Sequence, residues 1–245
     1  MKIISMHKVD AAMEAGKLPS PELIQGMGQL MGEMRRASAF VDGDGLRQSR
    51  TRARVRVKGD GAGTSIERGP YAGGNELVDR LTRIRVKDME EGIAWAARQA
   101  EATGAEVEVG PITEGWDLGL MAKPAEAPLR CLLLQKGDPS NEADRSSSSS
   151  SAVPALGGVT ADMQRAGVLL TAPTRLRPSR EGRRISVVAG KPVFRDGPFA
   201  ESKELIAGFV LLDVPGMPDA VEWALRFAKV IGDVELELRP LDATA

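Results

Sequence analysis

The sequence predicts an α+β protein in which one strand–helix unit is written twice and the two units cover each other. Three observations lead there. Residues 69–98 align with 197–226 without a gap, and ten of the 30 positions are identical, from Gly69/Gly197 and Pro70/Pro198 to Trp95/Trp223 and Arg98/Arg226. Composition alone would give about two. Hydrophobic periodicity switches between strand and helix spacing in the same order in both halves. Finally, the strands carry apolar side chains such as Val210 and Leu212 on a face that the helices leave open, and such a face does not stay in water.

The first strand is the apolar run 3–6, whose counterpart is 131–134. Continuous apolarity over so few residues marks strands buried on both faces. A loop over 9–18 follows. Ser20, Pro21 and Glu22 then open a helix, as cap, first-turn proline and acid at the positive helix end. Leu23, Met27, Leu30, Met31 and Met34 give it one apolar face, and it ends near Ala37 and Ser38. A second strand begins at 39–41 and runs into Asp42-Gly43-Asp44-Gly45-Leu46. That spacing lacks the rest of a calcium ligand set and reads as a turn or bulge. Residues 52–58 alternate strictly, a half-exposed strand with Ala53, Val55 and Val57 inward. A hairpin turn at 59–63 returns the chain through 64–67.

The strand 77–86 leads to Asp88 and Glu91, a capping-box-like pair. Met89, Ile93, Ala96, Ala97 and Ala100 form the next helix's apolar face, Gly104 ends it, and an alternating strand at 106–109 closes the first half. Trp95 and Trp223 fall at the edge of this stripe in the two halves. Residues 116–128 read as a linker, which divides the chain into 1–115 and 129–245. In the second half the six serines from Ser146 to Ser151 stand where the first has its capped helix start. They read as a flexible loop that delays the helix to Val153 or Pro154, so it runs to Arg165 and is shorter than its counterpart.

Each half therefore reads strand, helix, strand, hairpin, strand, helix, strand. Without the hairpin this is βαββαβ, the ferredoxin-like arrangement, with both helices on one face of a four-stranded antiparallel sheet. Two such sheets packed face to face bury each other's open side, as an intramolecular pseudo-dimer. The repeat is longer than the roughly 20–50 residues of a solenoid unit, so the pattern is a duplicated domain.

Composition narrows the function. The 42% hydrophobic content over 245 residues is enough for a core. A formal net charge of −1 and 4% aromatic residues argue against nucleic acid and acidic membranes as partners. The single cysteine, Cys131, excludes an intramolecular disulfide. No apolar run approaches the ~20 residues of a membrane span. The first residues are too quickly polar for a signal peptide, so a cytoplasmic location is expected. With one histidine, His7, a histidine-based metal cluster or a Cys–His pair has too few parts, and neither a metal nor a cofactor is expected.

The segment Asp196-Gly197-Pro198-Phe199-Ala200-Glu201-Ser202-Lys203-Glu204-Leu205-Ile206 resembles the signature of the DGPF, or YCII-related, domain family. Ala166-Gly167-Val168-Leu169-Leu170, Gly190-Lys191-Pro192-Val193 and Val221-Glu222-Trp223-Ala224 strengthen the resemblance in the second half. Pro19-Ser20-Pro21-Glu22, Gly43-Asp44-Gly45-Leu46 and Trp95-Ala96 carry a worn form of it in the first. The resemblance implies two tandem copies and the dimeric α/β-barrel fold, whose other members include small-molecule isomerases and monooxygenases. Some YCII-like proteins carry a histidine early in the first helix, working with an aspartate. Here that stretch is Pro21-Glu22-Leu23-Ile24-Gln25 and holds none. The resemblance also implies an association with extracytoplasmic-function sigma factors.

Two readings compete for the signature. As a fold device, Asp196 accepts backbone hydrogen bonds, Gly197 takes an unusual φ, Pro198 fixes the next residue and Phe199 plugs the core. As a site, Asp196 stands at the mouth of a cavity between the sheets, as a base or polar anchor. Arg68 replaces it in the first half, so a site would make the halves unequal. Lys203 and Glu204 lie on opposite faces of a strand, one of them inward, with Arg175, Arg177 and Arg180 as candidate partners or competitors. Phe199 completes the ligand-binding candidates. His7 ends the first strand, where Gln135 stands in the second half, and is either a satisfied strand-end histidine or one that faces the barrel. Residues 41–90 carry 11 Lys/Arg against 8 Asp/Glu, which reads as a solvated face with local salt bridges.

The expected function is a small-molecule-binding or regulatory module, holding a small apolar ligand between its sheets. The alternatives are an isomerase-like enzyme with Asp196 or His7 as its acid–base group, acting on a cyclic or phenolic substrate, and an accessory protein of a sigma factor. Beyond the intramolecular pseudo-dimer, further dimerisation remains open.

Overall fold

Strands dominate the computed structural model, which describes residues 1–59, 63–74, 76–137, 152–199 and 205–242. The first half supplies β1 (Lys2–Lys8), α1 (Ala11–Glu14), α2 (Pro21–Arg36), β2 (Phe40–Gly45), β3 (Ala53–Val57), β4 (Thr64–Arg68), β5 (Val78–Val86), α3 (Met89–Thr103) and β6 (Val107–Pro111). The second supplies β7 (Leu129–Lys136), α4 (Ala152–Arg165), β8 (Leu169–Arg175), β9 (Arg183–Val188), β10 (Lys191–Asp196), β11 (Ile206–Asp213), α5 (Met217–Ile231) and β12 (Val234–Pro240). The serine run, Lys203 and Glu204 lie outside the described residues.

The helices start where their capping residues say they should. Ser20 accepts the Leu23 amide at 3.2 Å and Pro21 is the first residue of α2. Asp88 accepts the Glu91 amide at 2.9 Å, and the Glu91 carboxylate reaches back to the Lys87 amide, one residue before the usual capping-box position. Gly104 ends α3 in the left-handed region, at φ 70°. At 14 residues α4 is shorter than the 16 of α2, as expected. The expected loop at 9–18 contains α1, a single turn capped by Asp10.

The strands form two antiparallel six-stranded sheets, in the orders β10-β9-β12-β1-β11-β2 and β4-β3-β6-β7-β5-β8. These orders are equivalent, strand for strand. They also correct an expectation. Each half was expected to close its own sheet, but β1 and β2 pair with β11 and β12, while β7 and β8 pair with β5 and β6. The helices follow their strands: α2 contacts α5, and α3 contacts α4.

Three apolar clusters result. One packs Leu30 and Met34 of α2 and Ala224 and Phe227 of α5 on the first sheet. A second packs Ile93 and Ala96 of α3 and Met163 of α4 on the other. The third joins the two sheets, with Ile4, Met6 and Phe209 from one and Leu81, Leu132 and Leu134 from the other. Trp95 and Trp223 sit at the edges of the helix-side clusters, under Arg98 and Arg226. Among the described residues, no helix is long and apolar enough to cross a membrane.

Candidate functional site

The Gly–Pro signature packs two turns together. Its glycine does not take a left-handed φ in either half, which corrects the expected reason for it. The reason is close approach. A Cβ on Gly69 would overlap the carbonyl oxygen of Ser49, and one on Gly197 that of Ser179. Both serines are fully buried in short 3-10 turns, Ser49–Thr51 and Ser179–Glu181. The peptide before each proline is cis.

The turn delivers an aromatic ring onto a guanidinium. Tyr71 lies 4.0 Å from the Arg54 guanidinium carbon and Phe199 lies 4.1 Å from that of Arg184. Phe199 is buried, and its amide donates to Ser179 Oγ at 3.0 Å. Asp196 takes no part in this. It is exposed at the end of edge strand β10 and accepts Arg183 Nε at 2.6 Å, which holds its carboxyl below the usual range. Arg177 is half-buried and pairs with Glu181 at 3.0 Å.

Under each ring is a buried ion cluster. The alternating strand at 52–58 was expected to turn its arginines to solvent, yet Arg52 and Arg54 are buried. Arg54 pairs with Glu76 and Glu108, and Lys136 donates to the same carboxylates at 2.6 and 3.0 Å. Burial alone would raise the Glu108 carboxyl. Lys136, Arg52 and Arg54 outweigh it and hold the group at about 2. In the other sheet Arg184 and Arg239 meet Glu237, at 2.9 and 3.2 Å. Burial pushes the nearby Lys8 ammonium down, partly offset by Glu237.

One pair has changed strands. In the first half Arg52 reaches Glu108 and the Ile206 carbonyl, while Gly110 leaves it room. In the second, Arg239 supplies the guanidinium from β12 and Gly182 supplies the room, since a Cβ there would lie 2.6 Å from Arg239 Cδ. The charge is kept although its position in the sequence is not.

Among the described residues, a cleft with space for a ligand lies at the end of β1. It has a volume of about 410 Å³ and is walled by Val9, Met13, Val187, Val188, Ile231 and Val234. His7, Lys8, Asp10, Ser186, Asp233 and Glu235 supply its polar groups. His7 faces the helix side of its sheet and stacks obliquely on Phe227 of α5, ring centres 5.3 Å apart. Gly208 makes room for it: a Cβ there would lie 2.7 Å from His7 Cε1. Burial pushes the imidazole down to about 4, partly offset by Asp10, so the ring is uncharged at neutral pH.

Of the six candidates from the sequence, His7 lines this cleft and Asp196, Phe199 and Arg177 do not. The polar residues missed were Lys8, Asp10, Ser186, Asp233 and Glu235. Ser186 and Glu235 can be found by pairing the two halves along the strand ladders, which needs gaps that the ungapped repeat does not show. Asp42 and Asp44 clasp Arg83 from β2, and burial raises the Asp44 carboxyl despite that arginine. Cys131 is buried, which pushes its thiol up to about 12. Among the described residues, no cluster of His, Cys, Asp or Glu could hold a metal.

The fold and cleft define an α+β protein with two antiparallel sheets and a small end-of-strand pocket. Within it, residues 130–232 match the family model of the YCII-related domain. That match lies within the second half, and the first half is outside it. A 68-residue stretch, 27% of the chain, is 34% identical to an uncharacterized protein of Rhizobium meliloti (strain 1021). The matched stretch spans 55% of that relative's length. No solved structure matches the chain.

Proposed function

We propose that this chain is a small-molecule-binding module of the YCII-related type, and that its ligand occupies the cleft at the end of β1. The observation that carries this reading is the cleft itself. Its volume of about 410 Å³ falls in the roughly 300–1,000 Å³ range of small-molecule sites, and it combines apolar walls with a few polar groups. Between the sheets, by contrast, Ile4, Met6, Leu132 and Leu134 are almost completely buried in one shared cluster.

Binding is favoured over catalysis. A general base working near neutrality needs a pKa near 7. His7, at about 4, is too weak, and Asp196 is exposed and held low by Arg183. On the same reading the two sheets are the halves of a ferredoxin-like pseudo-dimeric barrel, descended from a duplication of 1–115 and 129–245.

The test is a fragment screen by two-dimensional amide NMR. Ligands should shift the signals of Val9, Val187 and Val234 together, and Met13→Trp, which fills the mouth, should abolish those shifts. A screen in which no fragment moves these signals would remove the reading.

A further inference from the structure

The two sheets are equivalent strand for strand, so each site in one can be compared with its counterpart in the other. Arg54 faces Glu108 across β3 and β6, and Arg184 faces Glu237 across β9 and β12. One step further along the same ladders, the first half places Arg56 beside Glu106. The second half places Ser186 opposite Glu235.

The carboxylate has been kept and its arginine lost, with Lys8 the cation left near enough to act on it. Arg56 donates from Nε to Glu106 and from Nη1 to Glu67 at 2.8 Å. Ser186 offers Glu235 a hydroxyl at 3.3 Å, and Glu235 Oε1 is buried with no hydrogen-bond partner among the described residues. A buried carboxylate oxygen without a partner is costly, and charged groups away from water are normally paired. Both Ser186 and Glu235 line the cleft, which opens where an arginine side chain stands in the other sheet.

The surrounding charges favour a cation there. Asp10, Asp233 and Glu235 line the cleft with Lys8, and His7 is uncharged. Lys8 does not exclude a second cation, because the first half shows the two together. Lys136, its counterpart, bonds Glu76 and Glu108, while Arg56 takes Glu106.

We propose that the ligand of this cleft is a small molecule bearing a guanidinium or primary ammonium group, which takes the place beside Glu235 that Arg56 holds beside Glu106. The proposal rests on the reading of the cleft as a ligand site. Valine and isoleucine walls then receive the apolar remainder of the molecule.

Four probes of one shape separate charge from size: phenethylguanidine, phenethylamine, phenethyl alcohol and phenylacetate. Each is titrated into the full chain by calorimetry, with amide NMR to place it. The two cations should bind and shift Val187, Val188 and Val234. The alcohol should bind at least about tenfold more weakly and the carboxylate not at all. Glu235→Gln should weaken the cations about tenfold and leave the alcohol unchanged. Ser186→Arg restores the guanidinium within the chain, so it should abolish cation binding while the circular dichroism spectrum stays native. Equal binding of all four probes, or cation binding by Ser186→Arg as tight as by the wild type, would overturn the charge assignment and leave the cleft as a ligand site. Failure of every probe to bind would overturn both.

Discussion

His7 shows how one buried side chain couples this fold to pH. In the folded chain its imidazole titrates at about 4, and in the unfolded chain near the ordinary value of 6.5. Between those values the unfolded state holds a proton that the folded state does not. Stability should therefore be full above about pH 6.5 and fall as pH drops toward 4, by up to about 3 kcal/mol. Gln135 occupies the equivalent position in the other sheet, where it accepts the Gln99 amide at 3.3 Å. His7→Gln should accordingly fold and flatten the profile across that window. Loss at still lower pH should persist, because Glu108 and Glu237, both held low by buried cations, must then be protonated. Urea denaturation between about pH 4 and 8 measures this, and identical slopes for the two proteins would refute it. The role of His7 was legible only in part. The sequence shows a histidine at a strand end, but which face it takes depends on where the sheet ends and which helix covers it.

At the level of the element, most starts and stops were readable because capping is local. Ser20, Asp88 and Gly104 act within a few residues of themselves. The single turn α1 was not readable, since four residues carry no helical period. Strand β3 was read with its arginines in water because alternation reports two faces and not what covers the second. The Gly–Pro turn was found, but its cause lies in the distant Ser49 and Ser179 carbonyls. Replacing Gly197 by Ala should therefore destabilise the protein by about 1–3 kcal/mol or more, as overpacking does. Gly59→Ala, where nothing lies within 4 Å, should change stability by less than about 0.5 kcal/mol. Thermal unfolding of the two variants decides it, and a neutral Gly197→Ala would show that close approach is not the glycine's purpose.

Across the whole molecule, the sequence could reveal the internal similarity but not which half each strand joins. The runs 3–6 and 131–134 are interchangeable in pattern, so local hydrophobicity permits either partner. The exchange of β1 and β7 decides where the cleft forms. It brings His7 and Asp10, from the start of the chain, against Ser186 and Glu235 from near its end. Had each half closed its own sheet, His7 would lie beside Arg56 and Glu106, and the lost arginine would leave no cleft at this histidine. The buried ion clusters fit the same arrangement, since Lys8 answers Glu237 and Lys136 answers Glu108 across the halves.

The arrangement can be measured directly through the partner of Ser5. In the exchanged sheets Ser5 is opposite Val210 on β11, whereas its counterpart Leu133 is opposite Thr82 on β5. Backbone proton nuclear Overhauser effects in the uniformly labelled chain distinguish the two. The account predicts cross-strand contacts between Ser5 and Val210 and between Leu133 and Thr82. Contacts between Ser5 and Thr82 would contradict it and separate His7 from the cleft.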